Sequence, residues 1–157
     1  MDPITPLDQL KQRYEIKQKK LLDLFQEALT PELKYKKIIE LSGTLPPYPS
    51  DLKLEKNIVK GCQSIVYLTA FLKKPDLVHF QISSEALISA GLAALLISVY
   101  HDESPELILH CDPHFIPKLG LQTSLTPGRS NGLIGMYIRM KQEALKLFLK
   151  QQTEKSS

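Results

Sequence analysis

The chain has 157 residues, the size of a single domain that can bury one substantial hydrophobic core. Its apolar share of 43% and its charged share of 24% are ordinary for a globular protein. The formal net charge of +3 is too small to indicate a nucleic-acid-binding protein, and the basic residues follow amphipathic helix faces instead of one stripe. We therefore predict a single domain over residues 1–157 that does not bind nucleic acid.

The cysteine content and the apolar runs bear on the location of the protein. Two cysteines, Cys62 and Cys111, are too few for a disulfide framework. The longest apolar run, residues 86–100, is shorter than a bilayer span. The N-terminus has neither the basic nor the apolar segment of a signal peptide. We therefore expect no membrane partner and a cytoplasmic location, where thiols stay reduced.

The first third of the chain predicts two helices. Apolar residues recur at helical spacing over residues 10–29. Thr30 and Pro31 then provide the cap and the first residue of a second helix, which Gly43 would end. The proline-rich segment 45–49 cannot form a helix or a central strand and predicts an extended connection.

The middle of the chain predicts two strands. Residues 64–72 are apolar on both faces, which indicates a strand at the centre of a sheet. Residues 73–76 predict a turn, and residues 77–82 then alternate between apolar and polar. The inward residues of this second strand are Val78, Phe80 and Ile82.

A buried helix is predicted over residues 85–100. We expect Ser83 or Ser84 to cap it and Gly91 to mark its close contact with the sheet. Short helices should open at Ser104 and at Asp112, each followed by a proline.

The last helix should begin at Thr126-Pro127. Its predicted inward stripe consists of Ile134, Ile138, Leu145, Phe148 and Leu149. The order of all these elements predicts an α+β fold with a small antiparallel sheet flanked by helices on one side.

The motif Gly61-Cys62-Gln63-Ser64 places a cysteine at a turn between two apolar segments. Such turns often carry function, and the glycine permits backbone angles that would aim the thiol. The same cysteine could also be a small buried hydrophobe, and the local pattern favours neither interpretation. No histidine lies near it in sequence to serve as a base, so a cysteine hydrolase is not indicated.

Possible metal ligands are concentrated at His110, Cys111, Asp112 and His114. Pro113 at the start of a helix would leave His110 outside that helix, so the two histidines would not share a face. No CxxC pair is present. We therefore predict no metal site.

Residues 125–132 are rich in turn and cap residues and include Arg129 between two glycines. The guanidinium could reach an anionic group near the helix N-terminus. An ordinary helix start capped by Thr126 or Ser130 accounts for the same residues, so their role stays open at this point.

Three segments together resemble one known family. Residues 35–41 with Leu45-Pro46, then residues 60–64, then residues 125–132 resemble the SufE family of sulfur-acceptor proteins in order and spacing. The resemblance runs from about Leu21 to Ala144. It depends mainly on GCQS after an apolar segment and on LTPGRSNG about sixty residues later.

The resemblance implies a sulfur-transfer accessory protein and not a stand-alone enzyme. Cys62 would accept persulfide sulfur from a cysteine desulfurase of the SufS or CsdA type, stimulate it, and pass the sulfur to iron–sulfur cluster assembly, with a SufB-type scaffold as recipient. Gly61, Gln63, Ser64 and Arg129 would position the loop or contact the partner. No cofactor is implied, since the PLP belongs to the desulfurase. The implied fold is α+β and similar to IscU, with the cysteine between the first two strands.

Some features depart from the family or fall outside the resemblance. Tyr67 stands where tryptophan is frequent. Residues 82–85 lack a glycine and an acidic residue expected there and keep only Glu85, which leaves the partner open. Residues 1–18 form an N-terminal extension to a core of about 21–150. We expect residues 1 to about 8 and 153–157 to be frayed.

Two alternative functions compete with sulfur transfer. One is a docking or regulatory partner of the desulfurase or scaffold that never carries sulfur. The other is a scaffold that carries a cluster or metal, which is disfavoured because two cysteines are too few for all-thiolate ligation.

Overall fold

The computed structural model describes residues 3–73 and 76–156. Within these ranges it has an α+β fold, as predicted, of six α-helices and one two-stranded antiparallel sheet. The helices are Pro6–Leu24 (α1), Pro31–Ser42 (α2), Leu87–Tyr100 (α3), Pro105–His110 (α4), Phe115–Leu119 (α5) and Pro127–Ser156 (α6). The strands are Val66–Lys73 (β1) and Leu77–Ser84 (β2), and two short 3-10 helices, Ser50–Leu52 and Glu55–Asn57, precede them.

The sheet covers the core with one face only. Val66 pairs with Ser84 and Lys73 with Leu77, and the inner face packs on α3 and α6. The prediction that residues 64–72 are covered on both faces is wrong, since Ile65 is 60% exposed and Phe71 is 42% exposed. The helices flank one face of the sheet. The other face is only partly covered, by Tyr48, which stacks on Tyr67. The second strand confirms its prediction, and its buried residues are Val78, Phe80 and Ile82.

The link between β1 and β2 is described only at its edges. Lys73 ends β1 and Asp76 precedes β2. The predicted turn over residues 73–76 includes residues 74–75, which lie outside the described residues.

Local capping defines the second helix as predicted. The Thr30 side chain accepts a hydrogen bond of 3.1 Å from the Leu33 N–H, and Pro31 occupies the first helical position. Gly43 follows as the C-terminal cap. Because one side chain satisfies a free N–H of the first turn, the chain needs no tertiary contact to start the helix here.

Helix α3 is the centre of the core and packs on α2, α1, α6 and β2. The predicted contact of Gly91 with the sheet is wrong, because its Cα faces the Ile38 carbonyl of α2, where a Cβ would overlap the backbone. The predicted serine cap is also wrong: β2 continues through Ser84, and the helix begins after Ala86 without a side-chain cap. The Ser84 Oγ instead accepts a hydrogen bond of 3.3 Å from the Ala86 N–H.

Helix α1 incorporates most of the N-terminal extension. Thr5 and Asp8 form a capping box that starts the helix at Pro6, so the frayed segment predicted for residues 1 to about 8 is wrong from Pro6 onward. Arg13 forms an ion pair with Glu103, whose side chain has 0% exposure. Tyr14 is buried, and its hydroxyl donates a hydrogen bond of 2.6 Å to the Asp112 carbonyl.

The C-terminal segment is helical where we expected it to fray. Helix α6 continues to Ser156, so that prediction is wrong for residues 153–156, while residue 157 lies outside the described residues. Gln151 is buried and donates a hydrogen bond of 2.9 Å to the Asp76 carboxylate. This contact joins the last turns of α6 to the residue that precedes β2.

The long helix α6 packs through a different stripe from the predicted one. Ile134, Ile138 and Leu149 of that stripe are exposed, as is Leu145, while Phe148 is half-buried. The buried residues of the stripe that packs are Leu133, Met136, Tyr137, Met140 and Ala144. Apolar residues occur in adjacent pairs along this helix, so helical spacing alone did not determine which member of each pair packs inward.

The short helices lie between α3 and α6. Ser104 caps α4 through the Leu107 N–H as predicted. The predicted helix at Asp112-Pro113 begins two residues later, at Phe115, and ends at Gly120 in the left-handed region at φ +61°. Across the described residues, the helices are either too short or too polar to cross a bilayer.

Candidate functional site

A short backbone link closes the loop that carries Cys62. Ile58 forms an isolated antiparallel bridge with Tyr67, and the Val59 N–H donates a hydrogen bond of 2.8 Å to the Val66 carbonyl. Gly61 in this loop has φ +86°, a left-handed conformation that glycine adopts without strain. The turn predicted for the motif is therefore present, with a single bridge on its N-terminal side where the resemblance implied a full strand.

The Cys62 side chain rests against the second turn of α6. Its Sγ lies 3.7 Å from the Gly132 carbonyl oxygen, to which it donates a hydrogen bond. The thiol is half-buried, and this burial raises the pKa of Cys62, while the charge of Arg129 acts to lower it. Burial and the contact with a carbonyl both favour the protonated thiol in this position.

The Arg129 guanidinium is held by two hydroxyl groups. Its Nη1 donates hydrogen bonds of 2.8 Å to the Ser64 Oγ and 2.7 Å to the Ser89 Oγ. Within residues 3–73 and 76–156, no carboxylate forms an ion pair with this guanidinium. Its positive charge therefore stays available for an anionic sulfur nearby.

The start of α6 forms the remaining wall of the site. Thr126 caps the helix, accepting a hydrogen bond of 3.2 Å from the Arg129 N–H. The Gln63 side chain lies over this first turn, with its Oε1 at 3.5 Å from the Thr126 hydroxyl. A side chain at Gly128 would meet that same oxygen. Thr126 thus caps the helix while Arg129 contacts the cysteine loop, so the two interpretations of residues 125–132 are compatible.

The structure brings the five predicted site residues into one place. Gly61, Cys62, Gln63 and Ser64 form the loop, and Arg129 reaches it from α6, as the contacts above describe. Sequence reasoning missed Ser89, which is 4% exposed and contacts Arg129 from α3. The one signal in the sequence was a serine in a largely apolar helix, which by itself does not indicate a partner.

The possible ligands at residues 110–114 are not gathered into a metal site. Cys111 is buried. The Asp112 carboxylate accepts hydrogen bonds of 3.0 Å from Tyr137 and 3.3 Å from Lys141, which lower the pKa of Asp112. The segment therefore serves to attach α6 to the loop between α4 and α5.

In the part of the chain that the structure describes, one cluster could be considered for a metal: His79, His101 and Asp102. The Nδ1 of His101 accepts a hydrogen bond of 3.2 Å from the Phe80 N–H, so the neutral ring carries its proton on Nε2. That nitrogen faces Asp102 at 3.6 Å and cannot ligate a metal while protonated. Only His79 and Asp102 remain, which is too few for a closed site.

The fold and the loop define a class: a small α+β domain that presents one half-buried thiol beside an arginine that has no ion-pair partner in the described ranges. The model of the SufE family, described as an Fe-S metabolism associated domain, matches residues 19–144. The chain belongs to this family and is a SufE-like protein associated with iron–sulfur metabolism. This confirms the resemblance inferred from the three segments.

Two relatives and one solved structure are similar to the chain. SufE-like protein 1, chloroplastic/mitochondrial, of Arabidopsis thaliana is 34% identical over 98% of the chain, which spans 40% of that protein's length. An uncharacterized SufE-like protein of Synechocystis is 36% identical over 80% of the chain and 79% of its own length. The solution structure of a hypothetical protein from Thermus thermophilus has a TM-score of 0.69 at 29% identity, covering 85% of this chain and 96% of that one.

Proposed function

We propose that this protein is a sulfur acceptor that takes sulfane sulfur from a PLP-dependent cysteine desulfurase onto Cys62. It stimulates the desulfurase and passes the sulfur on to iron–sulfur cluster assembly. The observation that supports this most directly is the loop thiol placed against α6, with the Arg129 charge acting on it. Membership of the SufE family supports the choice of partner.

The transfer step needs a thiolate and no dedicated base. The Cys62 thiolate attacks the outer sulfur of the desulfurase persulfide and forms a new S–S bond to it. The S–S bond of the donor breaks, and its electron pair leaves with the cysteine sulfur of the desulfurase as a thiolate. No net oxidation occurs, because the sulfane sulfur only changes its carrier. The product is a persulfide on Cys62, an anion at neutral pH beside the Arg129 guanidinium.

The resting position of the thiol shields it from other reactions. Half-buried against Gly132, Cys62 is held in its protonated form, which is a poor nucleophile. Transfer therefore requires the loop to move outward when the partner docks, which exposes the sulfur and removes the burial that raises its pKa. The Gly61 backbone at φ +86° is the position in this loop best able to absorb such a movement.

The test is intact-mass spectrometry after incubation with free cysteine and a SufS-type desulfurase. We expect the wild type to gain one sulfur atom that reductant removes, and Cys62→Ser to gain none. Cys111→Ser serves as the matched control and should gain sulfur like the wild type, since Cys111 is buried. No gain on the wild type, together with a raised desulfurase rate, would overturn sulfur transfer and favour the docking partner.

A further inference from the structure

The two hydroxyl acceptors of Arg129 belong to different parts of the fold. Ser64 belongs to the loop that carries the thiol, two residues beyond Cys62. Ser89 lies in the first turn of α3, the most deeply buried helix of the core. If the loop moves outward for sulfur transfer, Ser64 and Cys62 move together, whereas Ser89 stays with the core and keeps Arg129 in place for their return.

The chemistry of a hydroxyl acceptor suits this position. A carboxylate at residue 89 would form an ion pair with the guanidinium and cancel most of its field at the sulfur. A serine oxygen accepts the N–H of Arg129 at 2.7 Å and leaves the positive charge in place. It also orders the long Arg129 side chain in advance, so less rotamer entropy is lost when the guanidinium meets the anionic sulfur.

We propose that Ser89 is a positioning residue of this site: from α3 it holds the Arg129 guanidinium at the place where Cys62 rests, independently of the loop that carries Cys62 and Ser64. The assignment concerns the same site as the proposed function and depends on it for its biological role. Among the described residues, Arg129 is the charged group that acts on the thiol, from α6. The exposed Lys60 lies two positions before Cys62 in the same loop. Ser89 acts on the sulfur only through Arg129.

The test is the pH dependence of Cys62 alkylation by iodoacetamide on the full chain without any desulfurase. Peptide mass distinguishes Cys62 from Cys111. Of the two hydroxyl acceptors, Ser89→Ala leaves only Ser64 of the loop. The guanidinium can then turn away from the thiol, so the apparent pKa of Cys62 should rise by roughly half a unit to one unit. The alkylation rate at pH 7 then falls about threefold to tenfold, in proportion to the thiolate fraction.

A double-mutant cycle separates positioning from a general effect on structure. Ser89→Ala should have no further effect on the profile when Arg129→Ala is already present, because Ser89 acts through the arginine. Ser89→Thr keeps the acceptor oxygen and should retain the wild-type profile. Ser98→Ala, on the exposed side of the same helix, is the matched control and should also leave the profile unchanged.

Two results would overturn the assignment. One is a wild-type alkylation profile in Ser89→Ala. The other is a full Ser89→Ala effect in the Arg129→Ala background. If the sulfur-acceptance experiment fails while Ser89→Ala still slows alkylation only in the presence of Arg129, the proposed function is overturned and Ser89 remains the residue that places Arg129.

Discussion

The thiol of Cys62 donates a hydrogen bond of 3.7 Å to the carbonyl oxygen of Gly132, a residue 70 positions away along the chain. Because Gly132 has no side chain, the loop approaches the α6 backbone directly. A Cβ built at Gly132 would lie 3.7 Å from both the Cα and the Sγ of Cys62, which is ordinary van der Waals contact. The surface of α6 therefore determines how deeply the thiol is buried.

Side chains at residue 132 should control the reactivity of Cys62. Gly132→Ala should be tolerated and should raise the free energy of unfolding by up to about 1 kcal/mol, since alanine favours a helix over glycine. Gly132→Val adds methyl groups where Cys62 now packs, so it should displace the loop and accelerate Cys62 alkylation. Thermal melting and the alkylation rate test the pair. Equal rates in the valine variant and the wild type would contradict the observed packing.

The buried thiols should make stability depend on pH in the alkaline range. Burial raises the pKa of Cys62 and of Cys111 in the folded state. The folded state thus holds these protons more tightly, and the stability this contributes is complete below the unfolded thiol pKa of about 8.5 and is lost as pH rises through the folded pKa. Urea unfolding should show that the free energy of unfolding falls more between pH 7 and pH 9.5 in the wild type than in Cys62→Ser. Tyr14, whose pKa is raised to about 12, titrates above this window.

The contact between α2 and α3 should not tolerate a methyl group at Gly91. A Cβ there would overlap the Ile38 carbonyl, a backbone atom that cannot rotate away. Gly91→Ala should therefore lower the free energy of unfolding by about 1–3 kcal/mol, in spite of its better helix propensity. Gly43→Ala is the control, since its Cβ would lie 3.6 Å from the Glu40 carbonyl and should change stability little. Equal stability of both variants would contradict the close helix contact.

The ion pairs between α1 and Glu103 should make the N-terminal helix necessary for stability. Arg13 and Lys17 are the partners of this fully buried carboxylate, and Lys17 lies at 3.5 Å from it. Replacing both Arg13 and Lys17 by alanine leaves the Glu103 carboxylate buried without these partners. The free energy of unfolding should fall by about 3 kcal/mol or more. Lys19→Ala removes only an exposed pair with Asp23 and should cost less than about 1 kcal/mol. A double variant as stable as the wild type would show that the Glu103 charge is compensated elsewhere.

Much of the secondary structure could be predicted because its signals are local. Thr30, Ser104 and Thr126 each accept a backbone N–H three residues on, and a proline follows each of them, so the starts of three helices are encoded within four residues. The start of α3 lacks such a cap, and its prediction was wrong. The alternation along β2 likewise determined which residues face the core.

The site could be predicted in part. The loop motif and Arg129 were recognised from the sequence, because turn residues and a family resemblance mark them. Ser89 and Gly132 were not assigned to the thiol, since a serine in an apolar helix and a glycine in a polar turn occur at many positions that have no functional role. Their roles depend on contacts across 40 and 70 positions of the chain, between Arg129 and Ser89 and between Cys62 and Gly132.

The sequence by itself determined that the chain consists of helices and one pair of strands, and that Cys62 lies in a turn. Only the tertiary structure decided which face of α6 packs inward, which neighbour Gly91 meets, and what lies against the thiol. The reason is physical: caps, turns and periodicity act between residues a few positions apart, so they can be read along the chain. Which of several apolar faces of a helix packs inward depends on how much surface it buries against distant elements. Those elements come together only when the chain folds.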